Sequence, residues 1–140
     1  MPILNVHLVE GLHTPEQHRT LLEVMSTAYA EVLGSPLDRV RAYLTLHRPE
    51  HWVTAAVTAA EQPLSAPYFT AVVLAGRPAE QRARLLAELT GALVDVLGVE
   101  RGLVRGRIVQ VDPADWGIGG VPAAAVRRDE IAARAAGAAR

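Results

Sequence analysis

The residue with the clearest chemical potential is Pro2, the second residue of the chain. Removal of Met1 would leave the ring nitrogen of Pro2 as a free secondary amine. An α-amino group has a pKa of about 7.7 to 8.0, and burial or nearby cations lower it. In an apolar pocket beside arginines such an amine is neutral at physiological pH, so it can take up and return protons. The alternative is that Pro2 is ordinary N-terminal sequence.

The composition restricts what other chemistry is available. The 140 residues suffice for one domain with its own core, and with 4% aromatic residues that core must be mostly aliphatic. The absence of cysteine excludes disulfides, thiolate nucleophiles and thiolate metal sites. The histidines show no metal-ligand spacing, because Pro49 prevents a helix from aligning His47 with His51.

The overall charge gives no sign of a nucleic acid or membrane partner. The net charge is -1, so neither nucleic acid nor an anionic membrane is expected to bind. No apolar run approaches the roughly 18 residues of a spanning helix, and the N-terminus does not read as a signal peptide. We therefore expect a soluble, cytoplasmic protein.

The chain contains an internal repeat. A constant shift of 64 residues superposes residues 16–52 on 80–116 with twelve identities in thirty-seven positions. One extra residue in the first turn extends the match back to the start, where Pro2 falls on Pro67. Self-similarity at a fixed period indicates two copies of one structural unit.

Each copy reads as a β-α-β unit. Residues 3–9 and 68–74 are rich in β-branched residues and end at a glycine turn, which is typical of strands. Second strands are predicted over 40–46 and 103–111. The intervening segments are long enough to be helical crossovers between parallel strands, which are expected to be right-handed.

Capping residues mark both ends of the helix between the strands. Thr14 is a plausible N-cap, with Pro15 at the first helical position and Gln17 as its capping-box partner. Apolar residues then follow at helical spacing until Gly34, a residue suited to the left-handed helix terminus. The second copy repeats this pattern and ends at Gly98.

These units predict an α+β fold with pseudo-twofold symmetry, in which one four-stranded sheet carries two helices on one face. The repeats 2–61 and 67–125 form a single domain over 1–140. The other face of the sheet is expected to be apolar and to need cover from another chain, so oligomerisation follows. The tail 126–140 is predicted to be a helix or a frayed end whose arginines face solvent.

The motifs resemble the 4-oxalocrotonate tautomerase family, whose short members have a catalytic N-terminal proline, a β-α-β fold and a terminal Gly-Ile-Gly-Gly hairpin. The matching residues are Pro2-Ile3, His7, Glu10-Gly11, Glu16-Gln17, Pro36-Leu37, Val40-Arg41 and Trp116-Gly117-Ile118-Gly119-Gly120. The resemblance extends from residue 2 to about 128, twice over. It implies a fused tautomerase of the tautomerase/MIF-like fold, with a homotrimer in place of a hexamer.

The resemblance also implies one active site per chain. Pro2 keeps the catalytic position, whereas its twin Pro67 lies inside the chain, where its nitrogen is an amide and cannot act as a base. The family's carboxylate-binding arginine falls on Arg77 in the second half but on Leu12 in the first. In the family this arginine reaches the proline of the other unit, so Arg77 would serve Pro2.

Two further substrate-binding roles follow by position. The family's second-strand arginine, which polarises the keto or enol oxygen, falls on Arg41 and Arg105. Which of them reaches Pro2, and from which chain, stays open, and Arg41 could instead form a structural ion pair. The aromatic pocket wall falls on Trp52 and Trp116, of which Trp116 is expected to line the pocket, although either could simply pack.

The implied activity is a cofactor-independent keto-enol tautomerisation of small unsaturated 2-hydroxy or 2-oxo acids. Pro2 would move a proton between two atoms of the substrate while arginines hold its carboxylate and stabilise the dienolate. No metal or organic cofactor is required. The physiological substrate stays open.

Two other functions stay open at this point. Similar proteins that resemble cis-3-chloroacrylic acid dehalogenase hydrate 3-haloacrylate-like acids with the same proline. Here Tyr29 stands in place of their helix histidine, Arg77 alone remains of an arginine pair, and Asp115 is the nearest carboxylate to their glutamate. The second alternative is a non-catalytic trimeric scaffold, which would follow if Met1 were retained and Pro2 were therefore an amide.

Overall fold

The structure is a computed structural model that describes residues 2–138. Met1 lies outside the described residues, so whether it is removed stays open. The helices and strands are, in chain order, β1 (Ile3–Val9), α1 (Pro15–Leu33), β2 (Arg41–His47), β3 (Val53–Thr54), β4 (Val57–Thr58), β5 (Tyr68–Leu74), α2 (Ala79–Leu97), β6 (Arg105–Val111), β7 (Gly117–Ile118), β8 (Val121–Pro122), α3 (Ala123–Val126) and α4 (Arg128–Ala138).

The four long strands form one mixed sheet in the order β2-β1-β5-β6. Within each repeat the two strands are parallel, and the two repeats meet through the antiparallel pair β1 and β5, where Asn5 lies opposite Thr70. The predicted four-stranded α+β fold is confirmed. The second strands begin at Arg41 and Arg105, later than predicted, because short 3-10 turns occupy the residues just before them.

Helix α1 begins and ends as its sequence predicts. Thr14 Oγ1 accepts a hydrogen bond from the Gln17 amide at 3.1 Å, and Gln17 Oε1 accepts one from the Thr14 amide at 2.9 Å. Gly34 ends the helix in the left-handed conformation, with φ of 61°. Helix α2 has Pro78 at its N-cap, which provides no side-chain cap.

The core lies between the two helices and one face of the sheet. It is almost entirely aliphatic, as the composition predicts, and Tyr29 and Phe69 are its largest fully buried side chains. The Tyr29 hydroxyl donates to the carbonyl of Val72. The Phe69 ring occupies the space above Gly106 on β6, where a methyl group would overlap the ring.

The other face of the sheet is polar along its middle, so the prediction of an apolar face is wrong. Thr45 Oγ1 donates to Asn5 Oδ1 at 2.9 Å, and Asn5 Nδ2 donates to His7 Nε2 at 3.2 Å. Because that nitrogen accepts, Nδ1 of His7 carries the proton that it donates to His47 Nε2 at 2.8 Å. The alternation of side chains along β1 and β2 brings these polar groups to the same face.

Each repeat ends in a small hairpin. The predicted hairpin around 117–120 is present as β7 and β8. The first repeat has an equivalent hairpin, β3 and β4, which was not predicted. Its turn is made by Ala55 and Ala56, at φ of 52° and 64°, rather than by glycines. The 64-residue shift aligns these alanines with Gly119 and Gly120 of the second hairpin. This alignment would have predicted the turn.

The C-terminal tail is helical and folds back over the start of β1. Among residues 2–138, no helix combines the length and the apolar character that crossing a bilayer requires. The prediction that the tail arginines face solvent is wrong for Arg127, whose side chain is 18% exposed, and for the half-buried Arg134. Both line a cavity beside Pro2.

Candidate active site

A small cavity, partly open to solvent, lies at the start of β1. It is bounded by the C-terminal end of α1, by β5 and by the tail helix α4. Its apolar lining residues are Pro2, Leu33, Val72, Val73 and Leu74, and its polar ones are Ser35, Arg39, Arg77, Arg127, Glu130 and Arg134. The cavity therefore joins an aliphatic wall to a group of charged side chains.

Pro2 is fixed in the wall of this cavity by the strand that follows it. Its side chain is less than 2% exposed, and its carbonyl accepts a hydrogen bond from the Arg41 amide at 2.9 Å. Pro67 is held in the same way by the Arg105 amide at 3.0 Å and is equally buried. The repeats thus place their prolines identically, but the nitrogen of Pro67 is an amide within the chain.

Arg77 is held in the cavity by the C-terminal end of α1. Its Nη1 donates to the Leu33 carbonyl at 2.9 Å and to Gln81 Oε1 at 3.3 Å, and Gln81 Nε2 donates to the Val32 carbonyl at 2.9 Å. These carbonyls belong to the last turn, where the helix has no backbone donor for them. Burial and the nearby charge of Arg134 lower the pKa of Arg77 to about 10, so its guanidinium stays charged at neutral pH.

The charges around the cavity do not balance. Arg39 donates to both carboxylate oxygens of Glu130, at 3.1 and 3.0 Å, and Arg127 Nη1 lies 3.8 Å from the same carboxylate. The hydrogen bond from Arg39 holds the pKa of Glu130 below its usual value. With Arg77 and Arg134, four arginines and one glutamate from residues 2–138 line the cavity, which leaves three positive charges in excess among these side chains.

One atom of this group is buried without a protein partner. Nε of Arg127 is inaccessible to solvent and makes no hydrogen bond with the described residues. Buried polar groups usually have a partner, so the site lacks an acceptor. An anion in the cavity would supply both the missing acceptor and the missing negative charge.

Pro2 and Arg77 were predictable from the sequence, whereas the other charged residues of the cavity were not. Arg127, Glu130 and Arg134 are spaced i, i+3 and i+7, a pattern that places three side chains on one helical face. The tail has no counterpart in the repeat, so nothing in the sequence pairs its charges with the site. Arg39 was not predicted because the equivalent residue of the second repeat is a leucine, Leu103.

Arg41 and Trp116 lie beside the cavity rather than in it. They line a neighbouring groove whose wall shares Arg39 and Arg127 with the Pro2 cavity. Arg41 Nη1 is bound to its own loop, where it donates to the Asp38 carbonyl at 2.8 Å. Both residues are therefore neighbours of the cavity within one chain.

Arg105 lies elsewhere in the chain. It is exposed on β6, the sheet edge farthest from β2, and its Nη1 donates to the Gly102 carbonyl at 2.7 Å. The structure brings Arg105 next to Pro67 and not into the cavity of Pro2. Contact between Arg105 and Pro2 would require a neighbouring chain.

Of the residues considered for a dehalogenase, Arg77 lines the Pro2 cavity, but Tyr29 and Asp115 do not. Tyr29 is buried in the core, where desolvation raises the pKa of its hydroxyl. Asp115 is exposed in the turn before Trp116. Within residues 2–138, no three His, Cys, Asp or Glu side chains are grouped as a metal site.

Comparison with known proteins identifies the family. The model of the family described as "Tautomerase enzyme" matches residues 2–60 and, a second time, residues 67–125. The chain belongs to the tautomerase family. This tautomerase is a tandem fusion of two family units and is an isomerase.

Curated relatives match about one repeat each. The 2-hydroxymuconate tautomerase of Pseudomonas sp. (strain CF600) is 40% identical over 52 residues, which is 37% of this chain and 81% of that protein. The 2-hydroxymuconate tautomerase of Pseudomonas putida is 33% identical over 61 residues, 44% of this chain and 95% of that protein.

Solved structures match nearly the whole chain. A native fused 4-OT is 31% identical, covers 90% of this chain and 99% of its own, and has a TM-score of 0.84. A wild-type fused 4-OT described as a symmetric trimer is 30% identical, with 89% and 98% covered and a TM-score of 0.81. A protein inactivated by 2-oxo-3-pentynoate is 28% identical, with the same coverage and a TM-score of 0.82. The tandem fold is therefore shared with fused members of the family.

Proposed function

We propose that this tautomerase interconverts the keto and enol forms of small unsaturated 2-hydroxy or 2-oxo acids, with Pro2 as the base and acid. The main support is the cavity itself, where the described lining combines a buried Pro2 with four guanidinium groups and one carboxylate. Such a site favours an anionic substrate next to a group that can exchange protons.

The environment of Pro2 suits a neutral amine. Once Met1 is removed, protonation of the ring nitrogen would add another positive charge to a cavity that already has three in excess. Both this repulsion and the burial of Pro2 disfavour the charged form. The neutral nitrogen then has a free lone pair for a proton from the substrate.

The reaction is a proton transfer without net change in charge. Pro2 accepts a proton from the enol hydroxyl or from carbon, and the resulting dienolate is stabilised by the cavity arginines. The protonated ring nitrogen then returns its proton to another carbon, which completes the tautomerisation. The aliphatic wall of Leu33, Val72 and Leu74 accommodates the carbon skeleton and limits water.

Arg77 is the proposed ligand of the substrate carboxylate. A guanidinium can bind a carboxylate through two parallel hydrogen bonds and keeps its charge at neutral pH. Arg41 and Trp116 are proposed to contact the substrate from the neighbouring groove. A role for Arg105 requires its delivery by an adjacent chain.

We further propose that the protein assembles as a homotrimer. The similar fused 4-OT described as a symmetric trimer supports this assembly. The polar sheet face, which none of the described helices covers, is available for contact with other copies. Sedimentation velocity should give a single species of three chains. A monomer at micromolar concentration would contradict the assembly.

The test of the mechanism combines covalent labelling with substitution of each proline. Intact mass first establishes whether Met1 is absent. We expect 2-oxo-3-pentynoate or 3-bromopropiolate to label one site per chain, mapped to the Pro2 nitrogen by peptide mass spectrometry. Pro2→Ala should reduce ketonisation of 2-hydroxymuconate or phenylenolpyruvate by about 10²-fold or more while assembly persists.

Pro67→Ala is the matched control, because Pro67 is equally buried but has no free amine. It should keep most of its activity if it folds. Full activity in Pro2→Ala, or a label mapped away from Pro2, would refute the proposed role of the ring nitrogen.

A further inference from the structure

Two arginines of the cavity form no ion pair with the residues that the structure describes. Arg77 comes from the turn before α2 and Arg134 from the tail helix α4, and both line the Pro2 cavity and the groove that continues from it. They are close enough for the charge of Arg134 to lower the pKa of Arg77. Among residues 2–138, no carboxylate lies within 4.0 Å of either guanidinium.

The carboxylate of the cavity is already engaged. Glu130 receives two hydrogen bonds from Arg39 and an ion-pair contact from Arg127. It interacts with Arg77 and Arg134 only over a longer range. The two half-buried guanidiniums therefore repel each other, and an anion placed between them would relieve that repulsion.

Hydrogen-bond donors are free to receive such an anion. Arg77 uses only Nη1 for its bonds to Leu33 and Gln81, which leaves Nε and Nη2 without a bond to the described chain. Arg134 donates no hydrogen bond to any residue from 2 to 138. A guanidinium presents five N–H groups in a fork that matches a carboxylate.

We propose that Arg134 is a further substrate-binding residue, which forms with Arg77 a two-arginine clamp for one carboxylate group of the substrate. The inference rests on the proposed function, whose active site it completes. Arg134 belongs to neither repeat, because the family matches end at residues 60 and 125. The tail thus adds a substrate-binding side chain to the site of Pro2, and this side chain lies outside the two fused units.

Glu130 is the positioning residue of this clamp. It precedes Arg134 by four residues on α4, which is about one helical turn, so both side chains are on the same face. Its paired hydrogen bonds with Arg39 fasten that face to the loop after α1. The position of Arg134 over the cavity follows from this attachment.

The clamp is tested by equilibrium binding of adipate, the saturated analogue of muconate, to the full-length protein by calorimetry. We expect Arg134→Gln to weaken adipate binding about tenfold or more, because a hydrogen bond between charged groups is lost. Arg134→Lys should recover part of the affinity, since it keeps the charge without the fork. Arg128→Gln is the matched control on the same helix, where Arg128 is exposed, and should bind as the wild type does.

The double variant Arg77→Ala with Arg134→Gln decides whether both arginines hold the same group. If they do, the combined loss is smaller than the product of the separate losses, because either substitution already disrupts the clamp. Independent, multiplicative losses would overturn the proposal. So would unchanged binding in Arg134→Gln with normal helix content by circular dichroism, or no adipate binding by the wild type.

This experiment is separate from the test of Pro2. Adipate has no enol to convert, so its binding does not depend on proton transfer by the ring nitrogen. Loss of the Pro2 mechanism with intact adipate binding would leave the clamp standing. The dimethyl ester of adipate, which lacks the negative charges, should bind equally weakly to the wild type and to Arg134→Gln.

Discussion

The two prolines at equivalent positions of the repeats, Pro2 and Pro67, differ in chemistry although their surroundings are similar. Pro2 and Pro67 are equally buried and are fixed by the same backbone hydrogen bond from a second-strand arginine. The difference lies in chemistry, because only Pro2 can have a free amine. A second difference is Arg77, which lines the cavity of Pro2 and which the first repeat replaces with Leu12.

The contrast between Arg77 and Leu12 is directly testable. Arg77→Ala removes a charged donor from the cavity and should raise KM for acid substrates by roughly 10- to 100-fold, with a smaller change in kcat. Leu12→Ala should leave both constants nearly unchanged. Steady-state kinetics on one enol acid would measure both variants, and an equal effect of the two substitutions would exclude a specific role for Arg77.

The contact between β5 and β6 depends on the absence of a side chain. The Phe69 ring fills the position that a side chain at Gly106 would occupy, and both residues lie on the helix-facing side of the sheet. Protein cores accommodate extra methyl groups poorly. The pair therefore requires glycine on β6, although the first repeat has an alanine at the equivalent position.

Gly106→Ala should lower the free energy of unfolding by about 1 to 3 kcal/mol, because the added methyl displaces the Phe69 ring. Urea unfolding followed by far-ultraviolet circular dichroism would measure the loss. Gly102→Ala serves as the control, since a methyl group there meets no atom within 4 Å and the backbone is not in the left-handed region. Equal midpoints for the two variants would show that the sheet tolerates the extra methyl.

The whole molecule has one face covered by helices and one bearing a polar hydrogen-bond chain. His7 lies in the middle of the uncovered face, between Asn5 and His47, and its ring also stacks on Tyr68 with centroids 5.6 Å apart. Burial and the nearby His47 lower the pKa of His7. In the folded protein Nε2 accepts from Asn5, so protonation there would break that hydrogen bond.

This predicts a loss of stability on mild acidification. The pKa of His7 is lower in the folded state than its ordinary value of 6.5, so the unfolded chain binds the proton more readily. The contribution of neutral His7 to the free energy of unfolding is therefore full above about pH 6.5. It is lost as the pH falls through the lower pKa of the folded state. Urea unfolding between about pH 8 and 5 should show a shallower pH dependence for His7→Gln than for the wild type.

His51→Gln is the control for this measurement, because His51 is exposed on the turn after β2. It should keep the pH dependence of the wild type. If His7→Gln and the wild type lose stability in parallel over the same acid range, another group is responsible.

Local features of the fold were predictable from the chain alone. The ranges of β1 and β5, the capping box at Thr14 and the end of α1 at Gly34 matched, because alternation, capping and left-handed glycine are properties of adjacent residues. The repeat supplied the symmetry of the sheet. The difference between Pro2 and Pro67 also needed no coordinates, since it follows from their places along the chain.

The charged half of the cavity required the folded chain. The helical spacing of charged residues is the same whether they face solvent or line a site. Only the path of the tail back over β1 brings Arg127 and Arg134 to the cavity. The same applies to Arg105, which the strand order places beside Pro67 instead of Pro2. Contacts between residues far apart in sequence depend on strand order and on the path of the tail, and neither is contained in any local pattern of residues.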